Sequence, residues 1–196
     1  MCGIAGLRRI SGNIDQLDHL ATEKMLDDIT HRGPDDHGVA TIKDLNIILG
    51  HRRLSILDIS SKGRQPMSSH CGKYLITYNG EIYNFLELKE KLALRKDIKW
   101  KSQSDTELLV NYISYFGIEK TLKDIVGMFA FCVVDLEKNL MHLCRDRFGE
   151  KPLYYGRSNN YFWFGSSLKQ LKQIPSFDKR IDRKSLEYFL RHGYIN

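Results

Sequence analysis

The chain begins with the sequence Met1-Cys2-Gly3-Ile4-Ala5-Gly6, whose second residue carries a thiol. If the initiator methionine is removed, Cys2 holds a thiol nucleophile and a free α-amine in one residue. The amine has an ordinary pKa of about 8 and the thiol one of about 8.5, so the amine can serve as the base without a partner histidine. This pairing is typical of enzymes that use their N-terminal residue as the nucleophile. The alternative interpretation is that Cys2 is a small residue in a frayed terminus.

Length and composition indicate a folded globular chain. Its 196 residues suffice for one sizeable domain or two small ones, and 42% hydrophobic and 28% charged residues exclude a disordered chain. The sequence contains no apolar run of about 18 residues, so we expect no membrane partner. The net charge of +6 bears on solubility, and since no nucleic-acid-binding motif accompanies it, we expect no nucleic-acid partner.

The four cysteines predict neither disulfides nor a metal site. They form no Cys-x-x-Cys pair and have no zinc-ligand spacing. Cys132 and Cys144 lie in apolar runs and should be buried thiols, whereas Cys71 lies in a polar loop and should be exposed. This pattern favours a reducing, cytoplasmic location.

Hydrophobic periodicity predicts short strands in hairpin-like groups with helices between them. The predicted strands cover residues 4–10, 38–42, 45–50, 74–78, 128–135, 140–145, 153–156 and 161–165, and the predicted helices cover 15–29, 85–94, 105–116 and 185–190. Asn79-Gly80 ends the fourth strand and is the commonest hairpin-turn signal, and Gly117 stops the third helix. This grouping favours an α+β fold of antiparallel sheets stacked against helices.

Eight short motifs follow one another along the chain. In order they are Met1-Cys2-Gly3-Ile4, His31-Arg32-Gly33-Pro34-Asp35, Arg53-Leu54-Ser55-Ile56-Leu57-Asp58, Gln65-Pro66-Met67, Tyr78-Asn79-Gly80-Glu81-Ile82-Tyr83-Asn84, Ser104-Asp105-Thr106-Glu107, Gly127-Met128-Phe129-Ala130-Phe131 and Arg145-Asp146-Arg147-Phe148-Gly149-Glu150-Lys151-Pro152-Leu153-Tyr154-Tyr155. This set closely resembles the N-terminal glutaminase domain of glutamine-hydrolysing asparagine synthetases, which are class II glutamine amidotransferases of the N-terminal-nucleophile hydrolase type. The resemblance is strong to about Tyr155 and weaker from there to Asn196.

The resemblance implies a fold and a domain organisation. The fold would be a four-layer αββα sandwich of two antiparallel sheets. Residues 1–180 would form the glutaminase domain, and residues 181–196 would begin the connection to a C-terminal synthetase domain that is absent here. The absent domain would use ATP and Mg, whereas the glutaminase domain needs no cofactor. We expect apolar residues such as Tyr188 and Phe189 to be exposed where the last helix runs towards that partner, and a homodimer is compatible with the sequence.

The resemblance also implies an activity and its catalytic residues. Cys2 would attack the side-chain carboxamide of glutamine and form a γ-glutamyl thioester, with its own α-amine moving the protons. The Asn79 side-chain amide and the Gly80 backbone N–H would bind the oxyanion that this attack creates. Taken alone, Asn79-Gly80 is more often a hairpin turn.

Substrate-binding residues follow from the charges of free glutamine, which carries one carboxylate and one ammonium. The resemblance selects Arg53 for the carboxylate, although Arg52 is a rival and Arg53 could instead be a structural ion-pair residue. Asp105 and Glu81 are the candidates for the ammonium. Asp105 could instead only serve the first turn of its helix, and Glu81 could be a solvated surface carboxylate.

Other charged residues and other functions remain alternatives. His31 is not needed as a base, and Arg32 and Asp35 are expected to fix their loop. The segment with Arg145, Asp146 and Lys151 is either an interface towards the synthetase domain or a locally satisfied charged turn. Competing functions are an asparagine-synthetase-like enzyme that amidates another carboxylate, a hydrolase of a different amide, and a silent module that senses glutamine.

Overall fold

The computed structural model describes residues 1–55, 60–93, 98–175 and 177–195. The strands are β1 (Gly3–Arg9), β2 (Asp36–Ile42), β3 (Ile47–Arg53), β4 (Met67–Ser68), β5 (Tyr74–Ile82), β6 (Gly127–Asp135), β7 (Leu140–Arg145), β8 (Tyr154–Arg157) and β9 (Tyr161–Gly165). The α-helices are α1 (Gln16–Asp27), α2 (Phe85–Ala93), α3 (Asp105–Asp124), α4 (Leu168–Leu171) and α5 (Arg183–His192). Positions 56–58 of the third motif, the predicted end of the second helix at residue 94 and Asn196 lie outside the described residues.

The strands form two antiparallel sheets that pack face to face. One has the order β2-β3-β1-β9-β8 and the other the order β4-β5-β6-β7. Helices α1 and α4 cover the outer face of the first sheet, and α2 and α3 cover the outer face of the second. The predicted α+β sandwich with αββα layers is therefore confirmed.

Alternation along the central strands explains why two layers of core form. In β6, Phe129, Phe131 and Val133 pack towards α2 and α3, while the residues between them pack towards the other sheet. Successive side chains of a strand point to opposite faces, so a strand that is apolar at every position is buried on both faces. Burying each large side chain contributes roughly 1.5–3 kcal/mol.

A buried histidine joins the two sheets at one end. His51 of β3 donates a hydrogen bond from Nε2 to the carbonyl oxygen of Tyr78 in β5 over 3.0 Å. Beside it, the Thr77 hydroxyl donates to the Gly50 carbonyl oxygen over 3.0 Å. The ends of β3 and β5 that carry the predicted site residues are therefore held side by side.

His51 should make stability depend on pH. Burial lowers its pKa from 6.5 to about 4. The unfolded chain takes up a proton near pH 6.5 and the folded chain only near pH 4, so the free energy of unfolding should fall as the pH decreases through this window. The loss should approach about 3 kcal/mol. Urea unfolding of the wild type and of His51→Gln across the window measures it, and a difference between the two proteins that does not change with pH would contradict the prediction.

The predicted end of the fourth strand is wrong. β5 continues through Asn79 and Gly80 to Ile82, paired along its length with β6, so Asn79-Gly80 is not a turn. A Cβ on Gly80 would lie 2.8 Å from the Phe129 Cα and closer still to the Met128 carbonyl oxygen. Glycine is therefore required by the close approach of the neighbouring strand, and long-range pairing overrides the local turn preference.

Two helices also differ from their predictions. Gly117 does break α3, with a φ of 76°, but the helix resumes and ends at Asp124. The predicted last helix is longer on both sides and forms α5. None of its residues is buried; Phe189 is 47% and Leu190 is 75% exposed, and Tyr188 is partly exposed. The expected exposure of apolar residues on this helix is observed. Within the described ranges, no helix has the length and apolar character needed to cross a membrane.

Candidate active site

One cavity of about 190 Å³ collects the residues that the sequence singled out. Its lining includes all six predicted site residues, which are Cys2, Arg53, Asn79, Gly80, Glu81 and Asp105. They come from the start of β1, the end of β3, the second half of β5 and the start of α3. Cys71, by contrast, is exposed and lies outside this cavity, and Cys132 and Cys144 are buried, as predicted.

Cys2 is held by backbone groups of the segment that follows β3. The Leu54 N–H lies 3.4 Å from the Cys2 Sγ, and the thiol lies 3.6 Å from the Leu54 carbonyl oxygen to which it donates. Arg32 donates from Nε to the Cys2 carbonyl oxygen over 3.0 Å. Burial raises the pKa of the Cys2 thiol, and the Leu54 N–H and the amine of Met1 oppose this effect. The thiol therefore needs a base to become a nucleophile near neutral pH.

Asn79 offers an unused hydrogen-bond donor. Its side chain is 2% exposed, and its Nδ2 has no hydrogen-bond partner within the described part of the chain. Leaving a buried amide donor unpaired costs about 1–3 kcal/mol, so such groups call for an explanation. A ligand oxygen bound in the cavity that Asn79 and Cys2 both line would pair with this donor.

Asp105 contributes a carboxylate to the cavity. It is the first residue of α3, whose N-cap Ser104 accepts the Glu107 N–H at 3.2 Å. Its Oδ2 accepts the Tyr78 hydroxyl at 2.8 Å and the Ile82 N–H at 3.4 Å. Burial raises the pKa of Asp105, while the Tyr78 hydroxyl lowers it. Tyr78 therefore helps Asp105 to remain charged inside the cavity.

Arg53 contributes a guanidinium to the cavity. It is the last residue of β3, is 7% exposed, and donates from Nη1 to the Ser60 carbonyl oxygen over 2.6 Å. The rival Arg52 faces α1, where it donates to the Leu26 carbonyl oxygen over 3.1 Å and to Asp27 over 2.7 Å. Strand alternation thus brings Arg53 to the cavity and takes Arg52 away from it. Glu81 is exposed at the cavity wall.

Gln65 is a cavity residue whose role the sequence did not reveal. Its Oε1 accepts the Tyr78 N–H at 2.6 Å, and its Nε2 donates to the Thr106 hydroxyl over 3.0 Å. It therefore ties β5, which carries Asn79, to the start of α3, which carries Asp105. The Gln-Pro-Met motif was the available signal, but periodicity does not report such a bridge.

Lys151 is the other unpredicted feature of the cavity. It is 5% exposed, and its Nζ lies 3.4 Å from the Met1 Sδ. Asp146 accepts the N–H groups of Phe148, Glu150 and Lys151. The locally satisfied turn is thus observed, and it delivers Lys151 to the cavity.

The loop after α1 acts on the site from outside. His31 is exposed and does not line the cavity. Asp35 accepts the Ser55 N–H at 2.7 Å, and Arg32 holds the Cys2 carbonyl. These contacts fix the backbone of Cys2 and the segment after β3 that contacts its thiol.

Comparisons with known proteins agree with the fold and the motifs. The family described as "Glutamine amidotransferase domain" matches residues 1–196. Two proteins of Bacillus subtilis (strain 168), asparagine synthetases [glutamine-hydrolyzing] 3 and 1, are 37% and 35% identical over 95% and 100% of this chain. The chain spans 30% of the length of each.

A solved structure shows the same fold. The glutamine phosphoribosylpyrophosphate amidotransferase of B. subtilis superimposes with a TM-score of 0.72 at 21% identity, covering 88% of this chain and 43% of that one. At this identity the likeness concerns the fold. The match of the family over the whole length, together with these relatives, shows that the chain belongs to the glutamine amidotransferases as a domain of the type found in glutamine-hydrolysing asparagine synthetases.

Proposed function

We propose that this domain hydrolyses glutamine to glutamate and ammonia through a Cys2 thioester and supplies the ammonia to a synthetase domain of the same polypeptide. The observation that carries the proposal is the buried, unpartnered Nδ2 of Asn79 in the cavity that also holds the Cys2 thiol. A cation and an anion at the same cavity match the two charges of a free amino acid.

The reaction follows from these groups once Met1 is removed. The α-amine of Cys2 takes the thiol proton as sulfur attacks the side-chain carbonyl carbon of glutamine. Asn79 Nδ2 and the Gly80 N–H bind the resulting oxyanion. The tetrahedral intermediate collapses, the C–N bond breaks, and the leaving nitrogen receives the proton from the α-amine as ammonia departs. Water, deprotonated by the same amine, then cleaves the thioester and releases glutamate with the thiol restored.

Recognition of free glutamine would use the charged residues that line the cavity. Arg53 would bind the α-carboxylate, because a guanidinium can hold a carboxylate with two parallel hydrogen bonds. Asp105, with Glu81 at the wall, would bind the α-ammonium. Asparagine is shorter by one methylene, so its amide carbon would not reach the sulfur with both ends bound.

Covalent labelling tests the proposal. A glutamine analogue with an electrophilic diazoketone in place of the amide should add to Cys2 and stop glutamate release in the N-terminally processed protein. Exposed Cys71 is the internal control, because a simple alkylating reagent should reach it and the analogue should not. Labelling away from Cys2 would overturn the proposal. Faster turnover of asparagine or a simple amide would favour a different amidase, and tight glutamine binding without turnover would favour a sensor.

The destination of the ammonia is also proposed. Seven of the matching relatives are named asparagine synthetases, and the chain spans 24–40% of the length of each. Residues 1–180 would form the glutaminase domain, and the apolar side chains of α5, which none of the described residues buries, would belong to a connection beginning at residue 181. A second domain using ATP and Mg would then amidate aspartate. Assaying the full-length polypeptide with aspartate and with other carboxylates would identify the acceptor.

A further inference from the structure

A short turn encloses the guanidinium of Arg53. The turn at Ser61–Gly63 is a single 3-10 helix capped by Ser60, whose hydroxyl accepts the Lys62 N–H at 3.3 Å. The Ser60 carbonyl oxygen accepts both the Gly63 N–H at 3.3 Å and the Arg53 Nη1 at 2.6 Å. One oxygen therefore fixes the turn and the guanidinium to each other.

Gly63 leaves no room for a side chain against this guanidinium. A Cβ built on Gly63 would lie 2.8 Å from the Arg53 Cζ and closer still to its Nη2. Gly63 does not have a positive φ, so its backbone conformation is open to other residues. The requirement for glycine here is therefore one of space and not of backbone conformation.

Arg53 has little freedom to yield to an added methyl group. It is 7% exposed, and its Nη1 is tied to the same turn that carries Gly63. Moving the guanidinium would break the Ser60 bond, and moving the turn would displace the oxygen that holds the guanidinium. Buried charged groups that lose a partner are costly, so either change should disturb the position of the Arg53 guanidinium in the cavity.

We propose that Gly63 is a positioning residue for substrate specificity. Because Gly63 has no side chain, the Arg53 guanidinium can occupy the position in which it binds the α-carboxylate of the substrate. This inference rests on the proposed function. It adds that discrimination between free glutamine and amides without a carboxylate depends on the turn at residues 60–63 as well as on Arg53.

Gly63→Ala should separate binding from chemistry. We expect the KM for glutamine to rise by about ten-fold or more while kcat changes by less than about three-fold, as for lost binding shared by substrate and transition state. For 4-aminobutanamide, which is glutamine without its carboxylate, kcat/KM should remain unchanged. Ser61→Ala, on the same turn and exposed, is the matched control and should keep the wild-type KM.

A double variant distinguishes this role from direct contact with the substrate. In an Arg53→Lys background, Gly63→Ala should have no further effect on KM, because lysine lacks the guanidinium group that the added methyl group would contact. An undiminished effect there, an equal effect on 4-aminobutanamide, or a wild-type KM in Gly63→Ala would overturn the inference.

Thermal unfolding of the same variants tests whether crowding at Gly63 affects folding. If Gly63→Ala fails to fold because of crowding, the double variant should fold and melt near Arg53→Lys alone; failure of both to fold would contradict the inference. If the wild-type protein does not turn over glutamine in this assay, the proposed function is contradicted, and not only the inference about Gly63.

Discussion

Replacing Cys2 with alanine is expected to abolish glutamine hydrolysis, with kcat falling by at least about 10⁴-fold, the scale seen when a catalytic nucleophile is removed. The thiol lies in the cavity with Asn79, the proposed oxyanion donor, and with the charged residues Arg53 and Asp105. No thioester can form without the sulfur, and binding alone does not cleave an amide. Glutamate release by the N-terminally processed protein measures the effect.

The structure predicts that this variant still folds. The Cys2 side chain is only partly buried, and its sulfur contacts backbone groups of Leu54. We expect a loss of no more than about 1 kcal/mol in the free energy of unfolding. Cys71→Ala is the matched control and should retain full activity, because Cys71 is exposed and outside the cavity. Substantial hydrolysis by Cys2→Ala would refute the mechanism.

The amine can be tested separately from the sulfur. An uncleaved N-terminal tag leaves the thiol in place but converts the amine of the mature protein into an amide, which is not a base. Met1 also lines the cavity, with its sulfur against Lys151, so a retained methionine should obstruct the site as well. We expect both forms to be inactive, and Edman sequencing of active protein should begin at Cys2. Full activity with an intact N-terminal methionine would exclude the α-amine as the base.

Replacing Asn79 with alanine or aspartate is expected to lower kcat by about 10²–10³-fold, the usual cost of losing one oxyanion donor. The KM should change little, because this bond strengthens as charge develops on the oxygen. Aspartate keeps the shape of the side chain but replaces the donor with an acceptor, so it should be no better than alanine. Steady-state kinetics with glutamine gives both quantities.

Asn84 provides the contrasting variant. Its Nδ2 donates to the Asp124 carbonyl oxygen over 2.9 Å, and its Oδ1 accepts the Val126 N–H at 2.9 Å, outside the cavity. Asn84→Ala should lower stability by about 1–3 kcal/mol and leave kcat near wild type. Asn79 Nδ2 has no such bond within the described residues, so Asn79→Ala should show the opposite pattern. Equal losses of kcat in the two variants would point to a general structural effect.

The sequence predicted the strands and the site residues to different degrees and for different reasons. Alternation and apolar runs placed β6 and β7 almost to the residue, because their burial is decided by their own side chains. The residues around the cavity are distant in sequence, and only the resemblance of the motifs to a known family indicated that they converge. Their roles in catalysis stay predictions until the variants are measured.

What the sequence could not predict depends on long-range packing. Asn79-Gly80 has the local signal of a turn, but pairing with β6 holds it in a strand. The local sequence around Gly63 indicates no role for it, and only the approach of Arg53 shows that a side chain is excluded there. The bond between Tyr78 and Asp105 likewise joins two elements that no periodicity relates.

The position of β1 has a consequence for the timing of activity. This strand is paired on one side with β3 and on the other with β9, and the Ile4 N–H donates to the Ser166 hydroxyl over 2.9 Å. β1 therefore cannot complete its pairing until β9 has been synthesised, since domains fold as units during synthesis. In a nascent chain Cys2 has already been synthesised, but β9 and Ser166, which hold β1 in place, have not. If the proposed function is right, hydrolysis should therefore begin only when translation has passed residue 166, which measurements on stalled nascent chains of increasing length would show.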